Sequence, residues 1–452
     1  MNAFMVAGTN SGVGKTTITL ALISAIESKG FKIQPFKVGP DFIDTGYHSL
    51  ASGFPSVNLD SWMLSENYNK TNFSLHCKEK DIAVVEGVMG LYDGFGTTND
   101  SGSSAQIAKI LNLPVILIVN GASIARSAAA IVFGFENFDS EVNITGIIFN
   151  NVSGESHYNY LKESVAYYCN AEPLGYFKKN DFSPLKSRHL GLVTVEDNSN
   201  VKNMLDDYAE ILLKRIDIDR LLEKTEYNLT ANYNLTEVNF GCSSKLKVSV
   251  AKDNAFCFYY HDNLEILKAL GAEITFFSPL HNDSIPEDTD ILYLGGGYPE
   301  LYAEQLSSNR SMLHSIKRFS ENYGFIYAEC GGFIYLTEGV YVNNNKFFSF
   351  TGIFKDRAIM LNKLKALGYA EITTTTKDFW GKKGVKAKGH EFHYSYLKNN
   401  GNNLKKIYSV TMRKNFQSKT EGYIYKNTLG SYIHLHFGSN IDIIKSLFEN
   451  FN

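Results

Sequence analysis

Short apolar runs alternate with longer segments of helical periodicity in the first half of the chain. Near-continuous apolar runs predict strands at residues 3–7, 32–37, 82–85, 114–119 and 144–149. Residues 14–28, 103–111 and 123–135 have the length and periodicity of helices, and further helical residues lie around 201–222. Strands without polar alternation are typical of a parallel sheet that is buried on both faces. The pattern therefore predicts a doubly wound α/β domain.

The same alternation starts again in the second half of the chain, after a segment of different composition. Residues 223–245 are rich in Asn, Thr, Tyr and Ser, which indicates a linker. Beyond it, strands are predicted at residues 247–251, 273–277, 290–294 and 324–328, and helices at 262–269, 307–322 and 441–448. We therefore expect two doubly wound α/β domains, residues 1–224 and 246–452, joined by a linker at 225–245.

Composition and charge narrow the classes of protein to which the chain can belong. Its 452 residues are 44% hydrophobic and 20% charged, which suffices for two sizeable cores and excludes a disordered chain. A net charge of −3 provides no basic field for a nucleic acid. No apolar run approaches the roughly 18 residues of a membrane span. The five cysteines include no CxxC pair, so a reducing cytoplasm is expected rather than a disulfide framework.

A glycine-rich segment directly after the first predicted strand has the pattern of a phosphate-binding loop. Residues 8–17 read Gly-Thr-Asn-Ser-Gly-Val-Gly-Lys-Thr-Thr and open a predicted helix. In such a loop, main-chain N–H groups bind phosphate oxygens, Lys15 reaches the β- and γ-phosphates of ATP, and Thr16 ligates Mg²⁺. The first glycine stands one residue earlier than the strict spacing requires, so the loop is a variant. The predicted ATP-binding residues are Gly12, Val13, Gly14, Lys15, Thr16 and Thr17.

Two acidic residues follow further predicted strands of the same domain. Asp41 lies in the segment Phe-Lys-Val-Gly-Pro-Asp at 36–41, and Glu86 directly follows the strand at 82–85. Ligands of open α/β sheets bind beyond the carboxyl ends of the strands, so these carboxylates are expected to complete a Mg²⁺ site with Thr16. The alternative is that Asp41 only caps a helix and that the glycines after Glu86 only form turns.

A candidate nucleophile follows an apolar strand of the second domain. Cys330 stands in Glu-Cys-Gly-Gly (329–332), and a strand, a sharp turn and a helix form a nucleophile elbow. A helix N-terminus is expected to lower the thiol pKa. The main-chain N–H groups of Gly296 and Gly297, after another strand, are candidate donors to an oxyanion. His434 and His436, which alternation places on one face of a late strand, are candidate bases.

These motifs together resemble the family of cobyrinic acid a,c-diamide synthases along nearly the whole chain. The resemblance is carried by the phosphate loop and by residues 36–41, 58–63, 85–94, 188–192, 255–260, 295–300, 329–332 and 389–395. It implies an N-terminal P-loop NTPase-like domain similar to dethiobiotin synthetase and a C-terminal domain similar to class I glutamine amidotransferases. In that class the base often belongs to a His-x-Glu segment, whereas position 436 is His. A Tyr-x-His segment in the related cobyric acid synthases points to His434 and a Cys–His dyad, with His436 as the alternative.

The resemblance implies ATP- and Mg²⁺-dependent amidation of two tetrapyrrole carboxylates, with L-glutamine as nitrogen donor. Hydrogenobyrinic acid or nickel-sirohydrochlorin are alternative substrates for the same chemistry, and a P-loop regulatory ATPase is the alternative from another class. Asp93, on the loop after Glu86, is a candidate for contact with the substrate. The alternative is that Asp93 only forms a turn before Gly94. The expected partners are small molecules, with a homodimer left open.

Overall fold

The chain forms two compact units, Met1–Glu237 and Val238–Asn452. The computed structural model describes residues 1–185, 187–188, 191–192, 194–195, 200–229, 245–342, 346–378, 380–413, 418–449 and 451. Most of the linker predicted at 225–245 lies outside these residues, so its boundaries stay a prediction. Cys242 lies outside them as well.

The first unit alternates strands and helices around one parallel sheet, as predicted. Its elements are β1 (Asn2–Gly8), α1 (Lys15–Ser28), β2 (Ile33–Val38), α2 (Ile43–Ser52), β3 (Val57–Leu59), α3 (Glu66–His76), β4 (Ile82–Glu86), α4 (Ser104–Leu111), β5 (Val115–Asn120), α5 (Ser127–Phe138), β6 (Ile144–Val152), α6 (Glu155–Tyr168), β7 (Glu172–Lys178), β8 (Ser187–Arg188), β9 (Gly191–Leu192), α7 (Val201–Leu213) and α8 (Ile218–Glu223). Strands β1–β7 pair in the order β3-β2-β4-β1-β5-β6-β7, and every pair is parallel.

The helical segment predicted around 201–222 is two helices rather than one. Helix α7 ends at Leu213, and the side chain of Asp217 accepts a hydrogen bond from the main-chain N–H of Arg220 at the start of α8. An aspartate in this N-cap position begins a new helix because it satisfies an N–H group that has no partner within the helix.

The second unit contains a mixed sheet. Its elements are β10 (Lys247–Ala251), α9 (His261–Ala269), β11 (Glu273–Phe277), β12 (Ile291–Leu294), α10 (Ala303–Ser308), α11 (Arg310–Glu321), β13 (Phe325–Glu329), α12 (Gly331–Leu336), β14 (Gly339–Val342), β15 (Lys346–Ser349), β16 (Ala358–Met360), β17 (Ala366–Thr374), β18 (Lys386–His393), β19 (Ser395–Leu397), β20 (Lys405–Met412), β21 (Ser418–Tyr425), β22 (Thr428–Ser431), β23 (Ile433–Leu435) and α13 (Asp442–Glu449).

The order of this sheet joins a parallel half to an antiparallel half. Strands β11-β10-β12-β13-β22 pair in parallel, and β22-β21-β20-β17-β18-β23 continue the sheet with antiparallel pairs. Strands β15-β14-β16-β19 form a smaller separate sheet. The antiparallel half brings β23 into the same sheet as β13, which carries the predicted nucleophile at its end.

The carboxyl ends of neighbouring strands collect the predicted site residues within each unit. In the first, Glu86 on β4 pairs with Val6 on β1 and with Lys37 on β2, next to the start of the phosphate loop. In the second, β13 lies between β12 and β22. Throughout the described ranges, every helix is too short or too polar to cross a membrane.

Candidate functional site

The phosphate loop is held by close packing between its glycines and neighbouring side chains. Gly12 and Gly14 adopt φ angles of 77° and 103°, in the left-handed region that favours glycine. A Cβ atom at Gly14 would lie 2.4 Å from Nδ2 of Asn150, which donates a hydrogen bond of 2.9 Å to the carbonyl oxygen of Val13. A Cβ atom at Gly8 would lie 2.4 Å from the side chain of Val13. This contact explains a glycine at position 8 in the variant loop.

Lys15 and Thr16 begin α1 and face different groups. The Lys15 ammonium lies 3.4 Å from the carbonyl oxygen of Asn10, and burial, reinforced by the charge of Lys37, lowers the pKa of Lys15. The Thr16 hydroxyl donates a hydrogen bond of 2.7 Å to Oε1 of Glu86. The structure thus brings together Thr16 and Glu86, both of which were predicted from the sequence as Mg²⁺ ligands.

A buried ion cluster surrounds Glu86 and adds three residues that sequence analysis did not single out. The Lys37 ammonium lies 2.7 Å from Oε1 of Glu86 and 2.7 Å from Oδ2 of Asp44. His48 Nε2 lies 2.6 Å from Oε2 of Glu86. Burial disfavours the charged form of Glu86, but Lys37 and His48 outweigh it and hold the pKa of Glu86 well below its usual range. Burial and the neighbouring Asp41 raise the pKa of Asp44 to about 6.

The donor atoms around Thr16 fit a magnesium ion that is bound together with a nucleotide. Asp44 Oδ2 lies 3.4 Å from the Thr16 hydroxyl, and Lys37 already places a cationic group between Asp44 and Glu86. Among the described residues, no three His, Cys, Asp or Glu side chains form a metal-binding group. Mg²⁺ beside a nucleotide needs only one or two carboxylates, since phosphates and water supply its other oxygen ligands.

Asp41 and Asp93 both make hydrogen bonds that shape their own loops. Asp41 Oδ1 accepts hydrogen bonds of 2.8 Å from the main-chain N–H groups of Ile43 and Asp44, which is the capping geometry considered above. The exposed Asp93 accepts a hydrogen bond of 2.9 Å from the N–H group of Gly90 through Oδ2. The turn-forming interpretation of Asp93 therefore has direct geometric support, and its role towards a substrate stays a prediction.

Cys330 occupies a strained turn between β13 and α12. Its φ angle is 45°, its N–H group donates a hydrogen bond of 2.7 Å to the carbonyl oxygen of Ser431, and its Sγ lies 3.8 Å from the carbonyl oxygen of Phe392. A positive φ at a residue other than glycine is uncommon and marks functional turns. Burial, reinforced by Glu300, raises the pKa of the thiol, so the predicted lowering by the helix N-terminus is wrong for this state. The thiol therefore needs a base to become a thiolate.

The three glycines after β12 pack against the cysteine turn. The N–H group of Gly332 donates a hydrogen bond of 2.9 Å to the carbonyl oxygen of Gly295. A Cβ atom at Gly331 would lie 3.0 Å from the nitrogen of Gly297, so the main chain of Gly297 faces the turn closely. The N–H group of Gly296 donates to the carbonyl oxygen of Phe258 at 3.2 Å. Of the two predicted oxyanion donors, Gly297 is the one placed directly against the cysteine turn.

His434 lies beside the glycine loop and the strand that precedes Cys330. A Cβ atom at Gly296 would lie 2.3 Å from Cε1 of the His434 ring, and Nδ1 of His434 lies 3.8 Å from Oε2 of Glu329. The ring stacks on His390, its partner on β18, with centroids 4.8 Å apart. Burial, followed by the influence of His390, lowers the pKa of His434 well below its usual value. His434 is thus a neutral imidazole at pH 7, as a base requires.

His436 does not share the strand of His434, contrary to the predicted alternation. Strand β23 ends at Leu435, and His436 Nδ1 accepts a hydrogen bond of 3.1 Å from the N–H group of Gly438 in a short 3-10 turn. Its Nε2 lies 3.6 Å from Oδ2 of Asp262, and burial lowers the pKa of His436 to about 4. Both ring nitrogens therefore face groups of its own turn and of α9.

The histidine-rich segment 389–395 forms hydrogen bonds within the protein. His390 Nδ1 lies 2.7 Å from the hydroxyl of Tyr260. His393 Nε2 lies 2.8 Å from Oε1 of Glu391, which also accepts a hydrogen bond from Lys419. These contacts agree with a structural role for the two histidines.

Comparison with known proteins matches both units. Residues 4–190 match a CobQ/CobB/MinD/ParA nucleotide binding domain, and residues 247–441 match a CobB/CobQ-like glutamine amidotransferase domain. The cobyrinate a,c-diamide synthase of Listeria innocua is 39% identical over 449 residues, covering 99% of each chain. That of Streptococcus sanguinis is 40% identical and covers 97% of this chain and 96% of its own. That of Saccharolobus solfataricus is 41% identical and covers 97% of this chain and 98% of its own.

The comparisons give a nucleotide binding domain in the first unit and a glutamine amidotransferase domain in the second. Full-length identity of this degree confirms the resemblance inferred from the motifs. The chain is an enzyme, a glutamine-dependent amidotransferase of the ligase class, and it belongs to the family of cobyrinate a,c-diamide synthases.

Proposed function

We propose that the protein amidates the a and c acetate carboxylates of cobyrinic acid, using ATP and glutamine and forming an acyl phosphate. The observation that carries the proposal is the presence in one chain of a phosphate loop with Thr16 bonded to Glu86 and of Cys330 in a strained turn packed against the glycine loop that also contacts His434. A carboxylate needs activation before it accepts nitrogen, and glutamine needs a nucleophile before it releases nitrogen. Each unit offers the groups for one of these steps.

In the glutaminase half, the Cys330 thiol gives its proton to His434 and the thiolate attacks the amide carbon of glutamine. The oxyanion accepts a hydrogen bond from the N–H group of Gly297, whereas the same contact from Gly296 requires its bond to Phe258 to open. The C–N bond breaks as His434 returns the proton to the leaving ammonia. Water then hydrolyses the thioester, which releases glutamate and restores the thiol.

In the synthetase half, a substrate carboxylate attacks the γ-phosphorus of ATP, and the bond to the ADP oxygen breaks. The main-chain N–H groups of residues 12–17 bind the phosphates, and the Lys15 ammonium stabilises the charge of the transferring group. Thr16 and Glu86 would hold Mg²⁺, with Asp41 as predicted and Asp44 as the nearest further carboxylate. Bound there, Mg²⁺ supplies charge neutralisation. Ammonia then attacks the acyl carbon, and phosphate leaves.

The identity of the macrocycle is tested by incubating the protein with ATP, Mg²⁺, glutamine and one tetrapyrrole at a time. Cobyrinic acid, hydrogenobyrinic acid and nickel-sirohydrochlorin are compared by mass spectrometry. We expect products with one and then two amides from cobyrinic acid, and none when ATP or the nitrogen donor is left out. Preferred turnover of another macrocycle would identify that macrocycle as the substrate. ATP hydrolysis without any amidation would favour the regulatory ATPase. We place these reactions in the cytoplasm, which fits the free thiols of Cys77, Cys169 and Cys330.

The two candidate bases are expected to differ in their importance. His434→Ala should abolish glutamine-dependent amidation and keep activity with free ammonia, since ammonia enters after the thiol step. His436→Ala should be milder, because both of its nitrogens face structural partners. Glutaminase rates of the two folded variants decide the order, and the reverse ranking would assign the proton transfer to His436.

Asp93→Asn tests the substrate-side role of the loop after Glu86. The amide oxygen of asparagine can still accept the hydrogen bond from Gly90, so the turn is expected to persist. We expect a loss of amidation of about 5- to 150-fold, which corresponds to about 1–3 kcal/mol, with nearly unchanged ATP binding. Nucleotide titration and stepwise product analysis measure the two effects. Amidation kinetics equal to those of the unmodified protein would leave only the turn-forming role.

A further inference from the structure

Glu329 directly precedes the proposed nucleophile, and its side chain is buried. It is 1% exposed, and its Oε1 accepts hydrogen bonds from the Tyr327 hydroxyl at 2.6 Å and from the N–H group of Leu435 at 3.1 Å. Its Oε2 accepts one from the Tyr293 hydroxyl at 3.1 Å and lies 3.8 Å from Nδ1 of His434. Three hydrogen bonds from three strands hold this carboxylate beside the imidazole.

We propose that Glu329 is the acidic positioning residue of the glutaminase site and orients His434 through Nδ1. This inference rests on the proposed function, since it takes Cys330 as the nucleophile and His434 as its base. A carboxylate facing Nδ1 keeps the proton of neutral His434 on that nitrogen and leaves Nε2 to take the thiol proton. It also stabilises the imidazolium that forms when Cys330 is deprotonated.

Glu329 supplies the carboxylate that a His-x-Glu segment would place at position 436, where this chain has His. A carboxylate at that place in the sequence would follow the base along the chain. Glu329 instead reaches the base from the end of β13, one residue before the nucleophile. At 3.8 Å the contact is longer than a hydrogen bond, so it must shorten when glutamine binds, as catalytic contacts do.

Another buried histidine–carboxylate pair of the unit, His436 and Asp262, provides a matched control. His436 Nε2 lies 3.6 Å from Oδ2 of Asp262, a similar separation of a buried imidazole and a buried carboxylate. Asp262 belongs to α9 and does not precede the nucleophile. Nδ1 of His436 is engaged by Gly438, whereas the ring of His434 lies against the glycine loop beside Cys330. Asp262→Asn therefore makes the same chemical change at the histidine that we do not assign to catalysis.

The pH dependence of glutaminase activity distinguishes a positioning role of Glu329 from a purely structural role. Burial raises the pKa of Glu329 to about 7, although hydrogen bonds from Tyr327, Leu435 and Tyr293 oppose the shift. His434 faces the same carboxylate but has a pKa far below this range, and burial keeps Tyr293 and Tyr327 neutral by raising their pKa values. The buried hydroxyls of Tyr259 and Tyr408, at longer range, are neutral for the same reason. Glutaminase activity should therefore fall as pH drops through about 7, because protonated Glu329 no longer stabilises the imidazolium.

Glu329→Gln and Asp262→Asn are compared with the unmodified full-length protein and with Cys330→Ala. We expect Glu329→Gln to lower kcat for glutamine hydrolysis by about 10²- to 10⁴-fold with little change in KM, and to remove the acidic limb of the pH profile. Its alkylation of Cys330 by iodoacetamide should slow in parallel, while ammonia-dependent amidation stays unchanged. Asp262→Asn should keep glutaminase activity.

Each outcome separates the inference from the function on which it rests. Glutaminase activity that survives in Cys330→Ala would overturn the proposed glutaminase mechanism itself. A glutaminase that depends on Cys330 but is unchanged in Glu329→Gln would overturn only the role of Glu329. A loss in Glu329→Gln that is matched by a loss of ammonia-dependent activity or of the folded state would make Glu329 a structural residue, contrary to the inference. Loss in Asp262→Asn alone would assign the base to His436.

Discussion

Replacing Cys330 with alanine is expected to abolish glutamine-dependent amidation and to leave amidation supported by free ammonia intact. The substitution removes the proposed nucleophile, and the turn between β13 and α12 offers no other thiol, so a loss of about 10⁴-fold or more is expected. Ammonia bypasses the thiol chemistry, since it is the product of that half-reaction. Initial rates with either nitrogen donor, measured by product mass, give the comparison.

Cys169→Ala is the matched control for this experiment. Cys169 is a half-buried free thiol of the first unit and belongs to neither proposed site. Its variant should keep both activities, which would show that loss of a thiol alone does not inactivate the protein. Inactivity of a well-folded Cys330→Ala protein with both nitrogen donors would contradict the proposal that glutamine hydrolysis and amide synthesis take place in different units.

Glu86→Gln is expected to stop synthesis while sparing basal glutaminase activity. Glutamine has nearly the same size as glutamate, and Lys37 keeps its ion pair with Asp44, so the fold should persist. The change removes a negative charge beside Thr16, where Mg²⁺ would be held, and metal ions contribute several kcal/mol to stabilisation of the transferring group. We therefore expect amidation to slow by about 10²- to 10³-fold. Lys15→Ala should act in the same direction through the phosphates.

The control for the synthetase half is Glu172→Gln. Glu172 pairs with Arg220 and Lys224 at the surface of the same unit, so its variant should keep both activities. Thermal unfolding of each variant verifies the folded state, and glutamate release without a macrocycle measures basal glutaminase. Loss of basal glutaminase in a folded Glu86→Gln protein would contradict independent sites and would indicate tight coupling between the two chemistries.

Much of the parallel sheet of the first unit could be predicted from the sequence because its central strands are nearly continuous apolar runs. Strands β1, β4 and β5 show no polar alternation, and the structure buries nearly all of their residues. The antiparallel strands could not be predicted in the same way. Strand β20, Lys405–Met412, mixes charged, polar and apolar positions without a clear period, since its pairing is decided by distant neighbours.

The candidate sites were predicted where a local motif carries the chemistry and were missed where contacts come from strand order. Lys15, Thr16 and Cys330 lie in contiguous motifs. Lys37 and Asp44 contact the site only because β2 lies beside β4. The available signal was a single lysine within a strand that is otherwise apolar or uncharged, since a buried lysine requires a partner. The pKa of Cys330 was predicted in the wrong direction because burial outweighs any effect of the six-residue helix α12.

The hydrogen bond from Leu435 to Glu329 joins positions that are 106 residues apart, and this has a consequence for folding. Contacts between positions so far apart in the chain form slowly, because closing the long loop between them costs conformational entropy before the contact contributes any stability. An intermediate with only β10–β13 in place would already hold the thiol at the end of its strand but would lack the strand that carries the imidazole. Such an intermediate would not hydrolyse glutamine. We therefore expect the release of ammonia from glutamine to begin only when the sheet is complete.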